Sequence, residues 1–112
     1  PLKLRDTIAA ISTPAGRGGL GVVRVSGPAA RACVEAIARF RAGHTWQPWR
    51  AALAQLLDHD GAVIDQIVVT YFAPPRSYTG EEQVELACHG APVILRAALD
   101  RLVAHGARLA EP

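Results

Sequence analysis

The sequence has no methionine, no asparagine, one lysine among its 12 basic residues and only two cysteines in 112 positions. Without a methionine the natural start is missing, so the chain reads as a piece of something longer. Cys33 and Cys88 lie far apart and form no Cys-x-x-Cys pair, so neither a disulfide scaffold nor a thiolate zinc site is indicated. Free thiols fit a reducing compartment. No stretch approaches the roughly 20 apolar residues that cross a bilayer, and Pro1–Asp6 lacks the apolar run of a signal peptide. A cytoplasmic chain with no membrane segment is therefore expected. Charge is nearly balanced, 12 Lys and Arg against 10 Asp and Glu, with the arginines spread between acids, so composition does not argue for a nucleic-acid surface. What the sequence does have is apolar residues, half of the total, which is enough for one ordinary globular domain and too many for a disordered segment.

Residues 7–12 are short and apolar and run into Thr13-Pro14, as a buried strand entering a turn does. After Gly16-Arg17-Gly18-Gly19, residues 20–26 alternate as a second strand, with Arg24 in an otherwise apolar row. Ser26-Gly27-Pro28 predicts a helix start, Ser as cap and Pro in the first turn. Ala30, Cys33, Val34, Ile37 and Phe40 recur at helical spacing, opposite an Arg31, Glu35, Arg39 series, and Gly43 ends the pattern. Residues 50–58 suit a strand, although their alanines leave helix as a competitor. Asp60-Gly61 signals a hairpin whose favoured turn needs positive φ at both central positions. The returning strand, Val63–Phe72, is apolar on both faces, which suggests cover on both sides, with another subunit as a candidate for one of them.

Thr79-Gly80-Glu81-Glu82 suits a capping box. Gln83–His89 then alternates so that Glu85 and His89 share a face. Gly90-Ala91-Pro92 opens a second amphipathic helix with Arg96 and Asp100 outside and Gly106 at its end, and Ala107–Ala110 suits a last short strand. The order predicts an α+β fold, a mixed sheet with helices packed on one face.

Gly16-Arg17-Gly18-Gly19-Leu20-Gly21 fits G-x-G-x-x-G, but a dinucleotide site needs a helix after it, and Gly21–Val25 is β-branched and alternating. A small dinucleotide enzyme survives only if that segment is helical. There is no Gly-Lys-Ser/Thr, so the loop is not a nucleotide P-loop. A tight inter-strand loop, or bare backbone that lets a planar ligand or partner approach, are the alternatives. Glu85 sits mid-strand between apolar neighbours: either it is solvated or salt-bridged, or it accepts hydrogen bonds from a heterocycle with adjacent N–H donors, as a pterin has. Arg24 is equally a surface strand residue or a fork for a ligand carboxylate or carbonyl. Cys88 and His89 point to opposite faces, so they do not form a nucleophile and its base. His44, His59, His89 and His105 lack metal-ligand spacing, and surface or capping roles suit them better. Trp46 and Trp49 suit a core edge or an interface better than base stacking.

Two segments taken together go further. Thr13–Gly27 (TPAGRGGLGVVRVSG) and Ser77–Leu86 (SYTGEEQVEL), the latter followed by His89-Gly90, resemble the amino-terminal domain of the tRNA-modifying GTPase family MnmE, also called TrmE. Asp60-Gly61-x-Val63-Ile64-Asp65-Gln66 is similar to that family too, and the resemblance runs through essentially the whole chain. It implies that residues 1–112 form a tetrahydrofolate-binding and homodimerisation domain, similar in fold to folate-binding modules of one-carbon enzymes. Arg24 and Glu85 match the family's folate-contacting arginine and glutamate, and 5-formyltetrahydrofolate or a related tetrahydrofolate is the implied cofactor. Full-length members bind GTP, Mg2+ and K+ and work with MnmG, an FAD protein, on carbon 5 of the wobble uridine of tRNA. The sequence departs from the family at Ala91, where a second glycine is usual, and at Cys88. The helical domain, the GTPase with its P-loop, the carboxyl-terminal cysteine motif and a downstream basic folate contact are not in it. On its own the chain is expected to have no catalytic activity. The competing expectation is a dimerisation scaffold without ligand.

Overall fold

Short stretches in which buried residues recur at every second position form the strands of this chain. The computed structural model describes residues 6–12, 19–74 and 81–110. The elements in order are β1 (Ile8–Ile11), β2 (Leu20–Ser26), α1 (Ala30–Ile37), β3 (Ala38–Phe40), β4 (Ala51–Leu57), β5 (Val63–Phe72), β6 (Gln83–His89), α2 (Pro92–Ala104) and β7 (Arg108–Leu109). The seven strands build one sheet in the order β3-β4-β5-β6-β2-β1-β7. Every neighbouring pair is antiparallel except β1 with β7, so the sheet is mixed and the fold is α+β, as the sequence predicts.

The core lies on one side of this sheet. Val23 and Val25 of β2, Val84, Leu86 and Cys88 of β6 and Ile67 and Val69 of β5 are buried against Cys33, Val34 and Ile37 of α1 and Leu95, Leu99 and Leu102 of α2. Each fully buried aliphatic side chain of this set contributes about 1.5–3 kcal/mol relative to exposure. Gly21 is part of that surface: a Cβ there would fall 2.6 Å from Leu95, so the missing side chain lets α2 approach β2. The alternate residues of the same strands, Val22, Arg24, Val68, Thr70, Glu85 and Ala87, are half-buried and face the other way. Among the described residues no element covers that face. Val63–Phe72 is therefore covered by helices on one side only, with Val68 and Phe72 on the open one, while Ile64, beside the register shift at Leu56/Leu57, packs against the core.

Several local expectations are corrected. Helix α1 ends at Ile37 rather than near Gly43, because Ala38–Phe40 pairs with Ala54–Leu56 as an edge strand, and Arg39 Nε donates to Gln55 Oε1 at 3.0 Å. Ala38 and Phe40 have apolar spacing that fits helix and strand alike, and tertiary pairing decides between them. Ser26 does not cap α1. It is the last residue of β2, and its hydroxyl accepts from Gln83 Nε2 at 2.9 Å, while the helix entry is held by Thr7, whose Oγ1 accepts from the Ala29 N–H at 2.9 Å. The Asp60-Gly61 turn has positive φ (87°) at Gly61 only, and Asp58 N donates to Ala62 O at 2.7 Å to close a longer loop. Thr79 and Gly80 of the expected capping box lie outside the described residues. Glu82 instead accepts from Arg31 Nε at 2.7 Å and from the Tyr71 hydroxyl at 3.4 Å. Gly16, Arg17 and Gly18 of the glycine-rich loop also lie outside the described residues, but the next element along the chain is the strand Leu20–Ser26, so the helix a dinucleotide site requires is not there.

A candidate ligand site on the open sheet face

Arg24 and Glu85 sit on adjacent central strands, and the antiparallel register of β2 and β6 places them directly opposite one another. Both side chains project from the face without helices. Arg24 Nε and Nη2 donate to the same oxygen of Glu85, Oε2, at 2.9 and 2.6 Å. Among the described residues no hydrogen bond is made to Oε1 of Glu85 or by Nη1 of Arg24, so each group keeps capacity for a further partner. The pair is half-buried, with side-chain exposures of 37% for Arg24 and 26% for Glu85, so solvent screens it and its contribution to folding is about 1 kcal/mol at most. The surroundings keep it accessible: Ala10 pairs with Arg24 from β1, and Thr70 pairs with Glu85 from β5, and neither has a side chain long enough to cover it.

Along the strands from this pair the face becomes apolar. Val22, Ala87 and Val68 align across three strands, and Leu20 lies beyond them opposite His89. His89 is anchored by Asp65, a buried residue only 8% exposed. The pairing of β5 with β6 stops at Val68–Ala87, which leaves the His89 N–H without a backbone partner on that side, and Asp65 Oδ2 accepts it at 2.9 Å. The other oxygen of Asp65 engages His89 Nδ1 at 2.5 Å. In the opposite direction the face closes with the buried Ser26–Gln83 hydrogen bond.

Cys88 points into the core between these open-face residues, and burial pushes its thiol up to about 12, so it is not a thiolate at neutral pH. His89 and Cys88 lie on opposite faces, as the alternation requires. A second cluster stands at the other end of the sheet. Phe40 stacks on His44 at 4.0 Å, Trp46 meets both rings and Tyr71 edge-on, and Trp46 Nε1 donates to Glu35 at 2.6 Å. The Arg31 guanidinium lies over Tyr71 and is held above its ordinary pKa first by its hydrogen bond to Glu82, while burial raises that of Tyr71. Trp46 thus seals the core edge, whereas Trp49 is half exposed and touches Phe72 edge-on.

The structure therefore brings together both residues singled out from the sequence, Arg24 and Glu85. Sequence reasoning assigned His89 to Glu85's face but missed its anchor, Asp65. The only signal was an acidic residue inside a strand apolar on both faces, where burial needs a partner. Thr70 had no signal at all, because its place beside Glu85 depends on inter-strand register.

Comparison with known proteins adds the family. The family described as "GTP-binding protein TrmE N-terminus" matches residues 7–112. The chain is 50% identical over 107 residues to the tRNA modification GTPase MnmE of Nitrosomonas europaea, covering 96% of this chain and 23% of that protein. It is 48% identical over 112 residues to the protein of that name from Chromohalobacter salexigens (100% and 24% covered), and 45% identical over 113 residues to that of Koribacter versatilis (99% and 25% covered). The chain spans about a quarter of the length of these curated relatives. With a family match that leaves out only the first six residues, the chain belongs to the TrmE amino-terminal family.

Proposed function

We propose that this chain is the tetrahydrofolate-binding and homodimerisation domain of a GTPase that modifies carbon 5 of the tRNA wobble uridine. The observation that carries the reading is the Arg24–Glu85 pair, side by side on a sheet face that no element covers among the described residues. A reduced pterin presents adjacent N–H donors along one edge, and a carboxylate with one unengaged oxygen is a matched acceptor for them. Arg24 holds that carboxylate in place, and its remaining donor is available to a carbonyl or an anion. The residues present thus suit 5-formyltetrahydrofolate or a close relative. The bound cofactor would supply the one-carbon chemistry, and the protein would bind and orient it.

The dimerisation half of the reading is supported by the same face, where Leu53 is 76% exposed and Leu20 62%, beside the half-buried Val22, Val68 and Ala87. Binding of GTP with Mg2+ and K+, partnership with the FAD protein MnmG, action on tRNA and a cytoplasmic location would belong to the longer protein. No helix among the described residues is long and apolar enough to cross a membrane. Calorimetric titration with 5-formyltetrahydrofolate, with light scattering in the same buffer, tests both halves. Saturable binding to a dimer is the expected result. A dimer that binds nothing points to the scaffold, and a monomer without binding overturns the proposal.

A further inference from the structure

We infer that His89 is the contact for the anionic tail of the ligand whose head Glu85 and Arg24 hold. The inference rests on the folate reading and adds to it a direction and a second anchor. Glu85, Ala87 and His89 share one face of β6, and the first and last are four residue steps apart along the strand, about 13 Å at the usual rise per residue. Arg24, Val22 and Leu20 run alongside on β2 at matching register positions. A track results: a charged pair at one end, an apolar floor of Val22, Ala87 and Val68, and an imidazole at the other end. A ligand with a donor-edged planar head, a flat aromatic middle and a carboxylate tail has the same sequence of chemistries over a similar length.

The imidazole is held for such a role. The Asp65 side chain is 6% exposed and the His89 side chain 64% exposed, so the carboxylate is the buried anchor and the ring the presented group. Capping the end of β6 needs only the contact from Asp65 Oδ2 to the backbone N–H. The second contact, Oδ1 to Nδ1, does nothing for the strand and instead fixes the ring, making Nδ1 the proton-bearing nitrogen and leaving Nε2 for a guest. A carboxylate guest is met by the imidazolium form of the ring, in which Nε2–H donates and the charge is offset by that of Asp65.

The test titrates the chain and its His89→Gln variant with two probes, 5-formyltetrahydrofolate and a tail-less 5-formyl-6-methyltetrahydropterin. The variant is expected to bind the tailed probe about fivefold to tenfold more weakly and the tail-less probe as the unaltered chain does. Equal affinities for both probes, or equal losses for both, overturn the inference and leave the folate reading intact. If the unaltered chain binds neither probe, the folate reading falls and this inference with it. As a check independent of folding, the His89 Nε2 resonance is expected to move on adding the tailed probe and not the tail-less one. Identical responses to the two probes overturn the assignment.

Discussion

Arg24 reaches Glu85 across a single strand boundary and directs two of its donors at one carboxylate oxygen, leaving the other oxygen available. Arg–carboxylate pairs frequently engage both oxygens as a bidentate fork, and this one does not. With the pair half exposed, its loss is expected to change stability by less than about 1 kcal/mol. Glu85→Gln is therefore expected to melt in urea close to the parent while binding 5-formyltetrahydrofolate at least about tenfold more weakly, since hydrogen bonds to a charged acceptor are lost. A folded Glu85→Gln chain with parental affinity removes Glu85 from the site. The same comparison on Arg24→Ala decides the role of Arg24.

Two glycines of the central region differ in what a methyl group would meet. At Gly27, φ is 132° and a Cβ would lie 2.6 Å from the Asp6 carbonyl oxygen and the Thr7 Cα, both backbone atoms. At Gly21 the obstruction is the end of the Leu95 side chain, which can turn away. Gly27→Ala is expected to cost more than about 2 kcal/mol, through both the forbidden backbone conformation and the clash. Gly21→Ala should cost about 1 kcal/mol, within the range for overpacking a core. Urea unfolding of the two variants checks the order, and a Gly27→Ala chain as stable as the parent contradicts the geometry.

How much of this was legible in the sequence depends on the range of the interaction responsible. Strands β2 and β6 and the start of α2 were readable because alternation, Pro92 and the flanking glycines are local signals. The end of α1 was not, since Ala38–Phe40 fits either period and its fate depends on β4, more than ten residues away. Ser26 as a cap failed for the same reason: Gln83 takes its hydroxyl from a distant strand, and Thr7, from before β1, holds the Ala29 N–H at the helix entry. Arg24 and Glu85 could be chosen singly as polar residues in apolar rows. That they face each other, and that Asp65 lies beneath His89, depends on register, which a single sequence does not encode locally.

The open face makes an oligomeric prediction. Leu53 stands 76% exposed on β4 in the row of Val68 and Ala87, and it contributes little to the core of its own chain. Leu53→Glu is expected to leave stability within about 0.5 kcal/mol, as surface substitutions do, while shifting a dimer to monomer by light scattering. A Leu53→Glu dimer of unchanged strength places the contact between copies elsewhere.

Cys88 gives the fold a response to alkaline pH whose sign is fixed by burial. Its thiol is pushed from 9.0 up to about 12, first by desolvation and then by the charge of Asp65. Below the unfolded value the thiol is protonated in both states and the pH has no leverage through it. Above that value the unfolded chain releases the proton and the folded chain keeps it, so unfolding becomes progressively easier, by about 1.4 kcal/mol per pH unit, until the folded thiol also ionises. Burial raises Cys33 and Tyr71 in the same direction, so part of the slope belongs to them. Urea midpoints measured from about pH 8 to about pH 10 are expected to fall in the parent and to fall less steeply in Cys88→Ala, the difference approaching about 1 kcal/mol at the upper end. The same burial makes Cys88 slow to react with thiol reagents until the chain unfolds. Parallel pH slopes in the two chains, with rapid labelling of Cys88 in the native state, would mean that this thiol is not held in the core between β6 and the helices.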